Sequence, residues 1–119
     1  MWNGKYQIGL VAWGNMRRTN DLKRQDIINY LDSRKDFFQK TYHVRKIALI
    51  GSFARNEQTA QSDVDILIDL DEGTPNIFEL KRLLQRELEK EFRRKVEIAS
   101  ERYIKPYYRD EILREAVYV

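Results

Sequence analysis

A chain of 119 residues with 42% hydrophobic and 34% charged side chains suits one globular domain, and excludes both two ordinary domains and a disordered chain. The absence of cysteine excludes disulfides and thiolate metal sites, and no apolar run is long enough to cross a bilayer as a helix. Twenty-two basic against nineteen acidic residues leave a net charge of +3, weak grounds for direct nucleic-acid binding, which concentrates basic residues on one face.

Residues 1–18, "MWNGKYQIGLVAWGNMRR", hold two Trp and three Gly (Gly4, Gly9, Gly14) without a period. They read as an N-terminal extension, whether flexible arm, extra strand or a stretch ahead of a start at Met16, with the domain itself over 19–119. Their polar, aromatic opening lacks the charged start of a secretory signal, so the expected location is the cytoplasm. A helix is expected from a cap at Asn20 or Asp21 to about Lys40, since Leu22, Ile27, Ile28, Leu31 and Phe38 recur near helical spacing. "VRKIALI" (44–50) reads as a buried strand ended by Gly51, residues 51–58 as a turn leading into a short helix, and "TAQS" (59–62) as a loop. "DVDILIDL" (63–70) is the second strand, and Gly73 and Pro75 then break the chain. Ile77, Leu80, Leu84, Leu88 and Phe92 mark one face of an amphipathic helix whose other face, alternating Lys, Arg and Glu, is solvated. "KVEIA" (95–99) is a third strand, and "PYYRDEILREAV" (106–117) a closing helix with Pro106 in its first turn. This order predicts a single α/β (α+β) domain, a small mixed sheet covered by helices.

Asp63 and Asp65 interrupt a run as apolar as Val64, Ile66, Leu67 and Ile68, and a buried carboxylate needs a partner. Strand alternation sends both to one side, with Cα atoms about 6–7 Å apart. Such a pair can share a divalent cation or flank two ions, which in two-metal sites lie roughly 3.5–4 Å apart. Oxygen-only donors favour Mg²⁺ or Mn²⁺ over Zn²⁺, and Mg²⁺ completes its shell with substrate phosphate. The Gly51-Ser52 turn suits that phosphate: glycine lets backbone approach an anion, Ser52 adds a hydroxyl and Arg55 a cation. Taken singly, each feature has a plainer reading. Ser52 is then a helix cap, Arg55 a surface residue, Asp69 and Asp71 solvated strand-end residues, and Glu97 the exposed position of a half-buried strand.

Together, Gly51-Ser52, ten intervening residues and Asp63-Val64-Asp65 resemble the signature of the nucleotidyltransferase superfamily related to DNA polymerase beta. "GSFARNEQTAQSDVDILI" is similar, more narrowly, to the minimal nucleotidyltransferases of small prokaryotic proteins, and the likeness runs over roughly residues 22–119. The resemblance implies the nucleotidyltransferase fold, with Ser52, Asp63 and Asp65 binding nucleotide phosphates and metal, two Mg²⁺ ions in all. It also implies Glu97 as third carboxylate, both metal ligand and catalytic group, while Gly51 and Arg55 are nucleotide contacts on the chemistry of the turn itself. Two positions depart from the family pattern. Asn56 replaces a common Gly, which a turn absorbs because Asn tolerates the left-handed conformation. Glu97 replaces the usual Asp and is one methylene longer. The implied activity is transfer of AMP from ATP to an acceptor presented by another macromolecule or subunit. The implied partner is an all-helical HEPN ribonuclease toxin, modified on tyrosine within a hetero-oligomer, which would make this chain an antitoxin. The alternatives are an antitoxin that acts by binding alone, and a nucleotidyltransferase subunit that modifies a small molecule such as an antibiotic.

Overall fold

The computed structural model describes residues 21–119; the extension expected over 1–18 lies outside them. Helix α1 (Arg24–Tyr42) starts later than the sequence suggests. Its N-cap is Lys23 rather than Asp21, because the Asp26 carboxylate reaches back to accept the Lys23 N–H at 3.0 Å; Asn20 lies outside the described residues. The remaining elements are β1 (Val44–Ile50), α2 (Gly51–Ala54), β2 (Val64–Leu70), α3 (Ile77–Phe92), β3 (Val96–Ser100), a 3₁₀ turn (Glu101–Tyr103), α4 (Pro106–Glu115) and β4 (Val117–Tyr118).

The four strands form one mixed sheet in the order β3-β2-β1-β4. β2 runs antiparallel to β1 and parallel to β3, and β4 pairs antiparallel with the outer edge of β1. β4 was not foreseen. The closing helix, expected to reach residue 117, stops at Glu115; Ala116 is extended, and the β-favouring Val117 and Tyr118 pair with Leu49 and Ala48.

Alternation along β2 divides the core. Val64, Ile66, Ile68 and Leu70 face α1 and α3, packing with Ile27, Leu31, Phe38, Leu84, Leu88 and Phe92. Leu67 faces the other way with Ala48 and Ile50, under Ile104, Ile112, Leu113 and Ala116. α3 buries the face that its leucine spacing announces, and Glu87 ties it to α1 by accepting from Arg34 (3.1 Å) and the Tyr42 hydroxyl (2.7 Å). Burial, and then this bond to Glu87, push the Tyr42 hydroxyl up to about 12.

Asp69 does not lie in solvent, as its strand-end position suggested. It is 5% exposed, on the second face, and its carboxylate accepts from both Arg45 and Arg102. Burial alone would raise its pKa, but the two guanidiniums outweigh that and hold it below the ordinary carboxylate value. Among the described residues no helix is long and apolar enough to cross a membrane.

Candidate functional site

The site forms where β1 ends and β2 and β3 begin. Ile50, the last residue of β1, pairs with Asp65, and Asp65 pairs across the parallel ladder with Glu97. Two residues far apart in sequence therefore become direct neighbours. Asp63 stands just ahead of β2 rather than inside it.

Gly51 follows Ile50 with φ +78°, the left-handed region that glycine adopts without strain. A side chain there would strike Asp65: an added Cβ would lie on a carboxylate oxygen and 3.1 Å from the Asp65 Cβ and Cγ. The glycine thus brings backbone against the acid that the sequence marked. Asn56, which closes the short α2 segment, has φ 59°, the conformation expected for a residue standing in for glycine.

The surroundings hold this turn firmly. Phe53 is fully buried, with the Arg94 guanidinium 5.2 Å from its ring centre. Arg94 also donates to the carbonyl of Ser62 (2.8 Å), pinning the loop that leads to Asp63, and Arg24 of α1 donates to the Ala54 carbonyl (3.1 Å). Within the loop, the Ser62 hydroxyl accepts the Thr59 N–H at 2.9 Å. Fixed spacing between the glycine-serine turn and the acids is therefore a packed feature.

Asp65 is half-buried, and its carboxyl is pushed up to about 6. Desolvation is the main cause, followed by the charges of Glu97, Asp63 and Glu115, with Arg55 pulling the other way. Glu97 is exposed and ion-paired with Lys95 at 3.4 Å. It also lines a groove of about 540 Å³ between α3 and β3, with Phe78, Arg82 and Gln85 among the walls.

Two sequence expectations need refinement. The Gly51 N–H, expected to face a phosphate, donates to the Glu115 carboxylate at 2.8 Å. Arg55 is not a free cation: its Nη1 donates to Glu115 (2.8 Å) and its Nε to Glu57 (3.0 Å). Ser52 is partly exposed at the start of α2, directly after Gly51. Glu115, at the end of α4, had no signal in the sequence, because its partners lie 64 and 60 residues away.

The donor set suits a hard divalent cation. Asp63, Asp65 and Glu97 offer oxygen only, and mutual repulsion together with burial raises the pKa of Asp65, a cost that a cation would relieve. Among the described residues no three His, Asp or Glu side chains already stand as a metal-holding group. Mg²⁺ does not need one, since one or two carboxylates usually suffice when substrate phosphates and water complete the shell.

The profile of the nucleotidyltransferase domain family matches residues 27–119. A Methanocaldococcus jannaschii protein provisionally named a protein adenylyltransferase is 36% identical over 96 residues, covering 79% of this chain and 95% of that protein. The protein adenylyltransferase MntA of Thermococcus cleftensis is 32% identical over 98 residues, covering 82% and 97%. Among solved structures, one provisionally described as a minimal nucleotidyltransferase superposes with a TM-score of 0.68 at 26% identity, covering 81% of this chain and 95% of that one. A chain of a toxin-antitoxin crystallised with AMP-PNP shares the fold, with a TM-score of 0.58 at 20% identity over 82% and 72%. The four-stranded mixed sheet, the glycine-serine turn beside Asp65 and a family match over most of the chain agree: this chain belongs to the nucleotidyltransferase domain family.

Proposed function

We propose that this domain transfers AMP from ATP to a tyrosine hydroxyl of a HEPN-type ribonuclease toxin, and so acts as that toxin's antitoxin. The observation that carries the reading is the meeting of Asp65, Glu97 and the Gly51-Ser52 turn at one end of the sheet. The adenylyltransferase names of two relatives, and the toxin-antitoxin setting of a protein with the same fold, support the choice of AMP and of a toxin as acceptor.

Asp63 and Asp65, with Glu97 as third ligand, would hold one or two Mg²⁺ ions, which when bound neutralise charge on the triphosphate. Ser52 and Arg55 would orient the β- and γ-phosphates so that the α-phosphorus lies over the carboxylates. The acceptor oxygen forms a bond to the α-phosphorus while the bond from that phosphorus to the α–β bridging oxygen breaks, releasing pyrophosphate. The acceptor proton passes to the Glu97 carboxylate, whose exposure at the rim of the α3–β3 groove leaves it within reach of a macromolecular substrate.

The test is co-expression with a candidate HEPN-type ribonuclease partner, followed by mass spectrometry of that partner and label transfer from α-labelled ATP. Added AMP on a partner tyrosine, lost with Glu97→Gln, supports the proposal. A neutralised but unmodified partner supports an antitoxin that acts by binding alone. AMP found on a small molecule with no partner present supports the antibiotic-modifying alternative.

A further inference from the structure

The nucleotide reading leaves Glu115 unused, yet it makes the firmest polar contacts at the turn. Its side chain is 18% exposed, and its two oxygens divide their work: Oε2 accepts the Gly51 N–H and Oε1 accepts from Arg55 Nη1, both at 2.8 Å. Glu57 takes Arg55 Nε on the other side, at 3.0 Å. A guanidinium has five N–H donors in a rigid plane, and two carboxylates use two of them. Three remain, including both on Nη2, with no acceptor among the described residues. Arg55 is therefore held at Nη1 and at Nε by two carboxylates and leaves its Nη2 group to present. Its positive charge reaches the site, since it works against the raised pKa of Asp65.

We infer that Glu115 is the positioning residue for Arg55. It orients the free Nη2 group toward nucleotide phosphate and, through the Gly51 N–H, keeps the turn pressed against Asp65. This rests on the nucleotide-binding reading above. Glu115 ends α4, and the next residues become β4 on the edge of β1, so the last segment of the chain is anchored on both sides of this contact. An arginine with four rotatable side-chain bonds and 45% of its side chain exposed would otherwise sample many directions, and ordering it in advance removes an entropic cost from binding. Glu115 touches neither phosphate nor acceptor in this role; it acts through Arg55.

Glu115→Gln tests this selectively. The glutamine carbonyl can still accept the Gly51 N–H, but the charge that holds Arg55 is gone. The readouts are the KM for Mg-ATP and its direct binding, followed with a fluorescent ATP analogue, in the parent, Glu115→Gln, Arg55→Ala and the double variant. We expect each single change to weaken nucleotide binding about 5- to 10-fold, in the range of coupled neighbours, with kcat changed far less. The double variant should bind no worse than Arg55→Ala alone, because Glu115 has nothing left to position. Glu115→Asp, which keeps the charge, should recover part of the loss. A merely structural Glu115 would lower the melting temperature and the active fraction, leave KM unmoved, and add its full effect on top of Arg55→Ala; that result overturns the inference. Tighter binding by Glu115→Gln would also overturn it, showing Glu115 to compete with phosphate. A parent protein that binds no Mg-ATP would overturn the nucleotide reading itself, which is a separate failure.

Discussion

Asp65 is a half-buried acid beside three other carboxylates, with one arginine to offset them. In metal-free protein its carboxyl, raised from 3.8 to about 6, keeps a proton that the unfolded chain gives up. Its contribution to stability is thus present below pH ~4 and lost as pH rises through ~6. Asp65→Asn should remove that trend: in EDTA at pH 7 the variant should melt at the same or a higher temperature, by an energy on the order of 1 kcal/mol after screening. It should also lose transfer activity. Melting curves of both proteins between pH 4 and 7 check this, and a clear drop for the variant would mean that the acid serves the fold. Asp69 has the opposite sign. Its lowered pKa makes a contribution that is present near neutral pH and lost as pH falls through the ordinary carboxylate range. Asp69→Asn should cost about 1–3 kcal/mol at pH 7, since both arginines stay partly exposed and can turn to water, and the gap should close in acid. Gly51→Ala forces a left-handed alanine and displaces the Asp65 carboxylate, so about 1–3 kcal/mol of stability and most of the activity should go together. Denaturant unfolding and label transfer on the same sample would show whether they do.

At the scale of elements, α3 was the most legible. Its leucines recur every four residues, and Leu84 and Leu88 are fully buried where the spacing puts them. Leu84→Ala should therefore cost about 2–5 kcal/mol by opening a cavity against the sheet, measured as a lower denaturant midpoint at unchanged slope. The start of α1 and the end of α4 were not legible. Helix ends depend on which side chain reaches which backbone group, and the Asp26 contact that caps α1 competes with several local choices of similar energy. At the other end, Val117 continues a helical pattern as well as it begins a strand. The open edge of β1, a partner supplied from about 70 residues earlier, decides for the strand.

For the whole molecule, the family reading predicts a ligand response. Mg-ATP at a hundredfold excess over its Kd should stabilise the parent by about 2.7 kcal/mol, and Asp65→Asn should show almost none of this. Differential melting with Mg-ATP, with ATP in EDTA and with Mg²⁺ alone separates binding through a cation from simple anion binding; equal shifts with and without metal would rule out the cation site. The sequence by itself determined the alternation of helices and strands, the glycine-serine turn, and Asp63 and Asp65 as the acids to watch. These follow from local periodicity, from glycine's freedom, and from the oddity of carboxylates in an apolar run, while Glu97 came only from the family resemblance. The tertiary structure alone decided which residues meet. The parallel register of β2 and β3 set Glu97 beside Asp65, two arginines drew Asp69 into the fold, and the end of α4 delivered Glu115 to Gly51 and Arg55. Contacts between residues 24 to 64 positions apart leave no periodic trace in a single chain; they arise only when packing on both faces of the sheet brings those segments together.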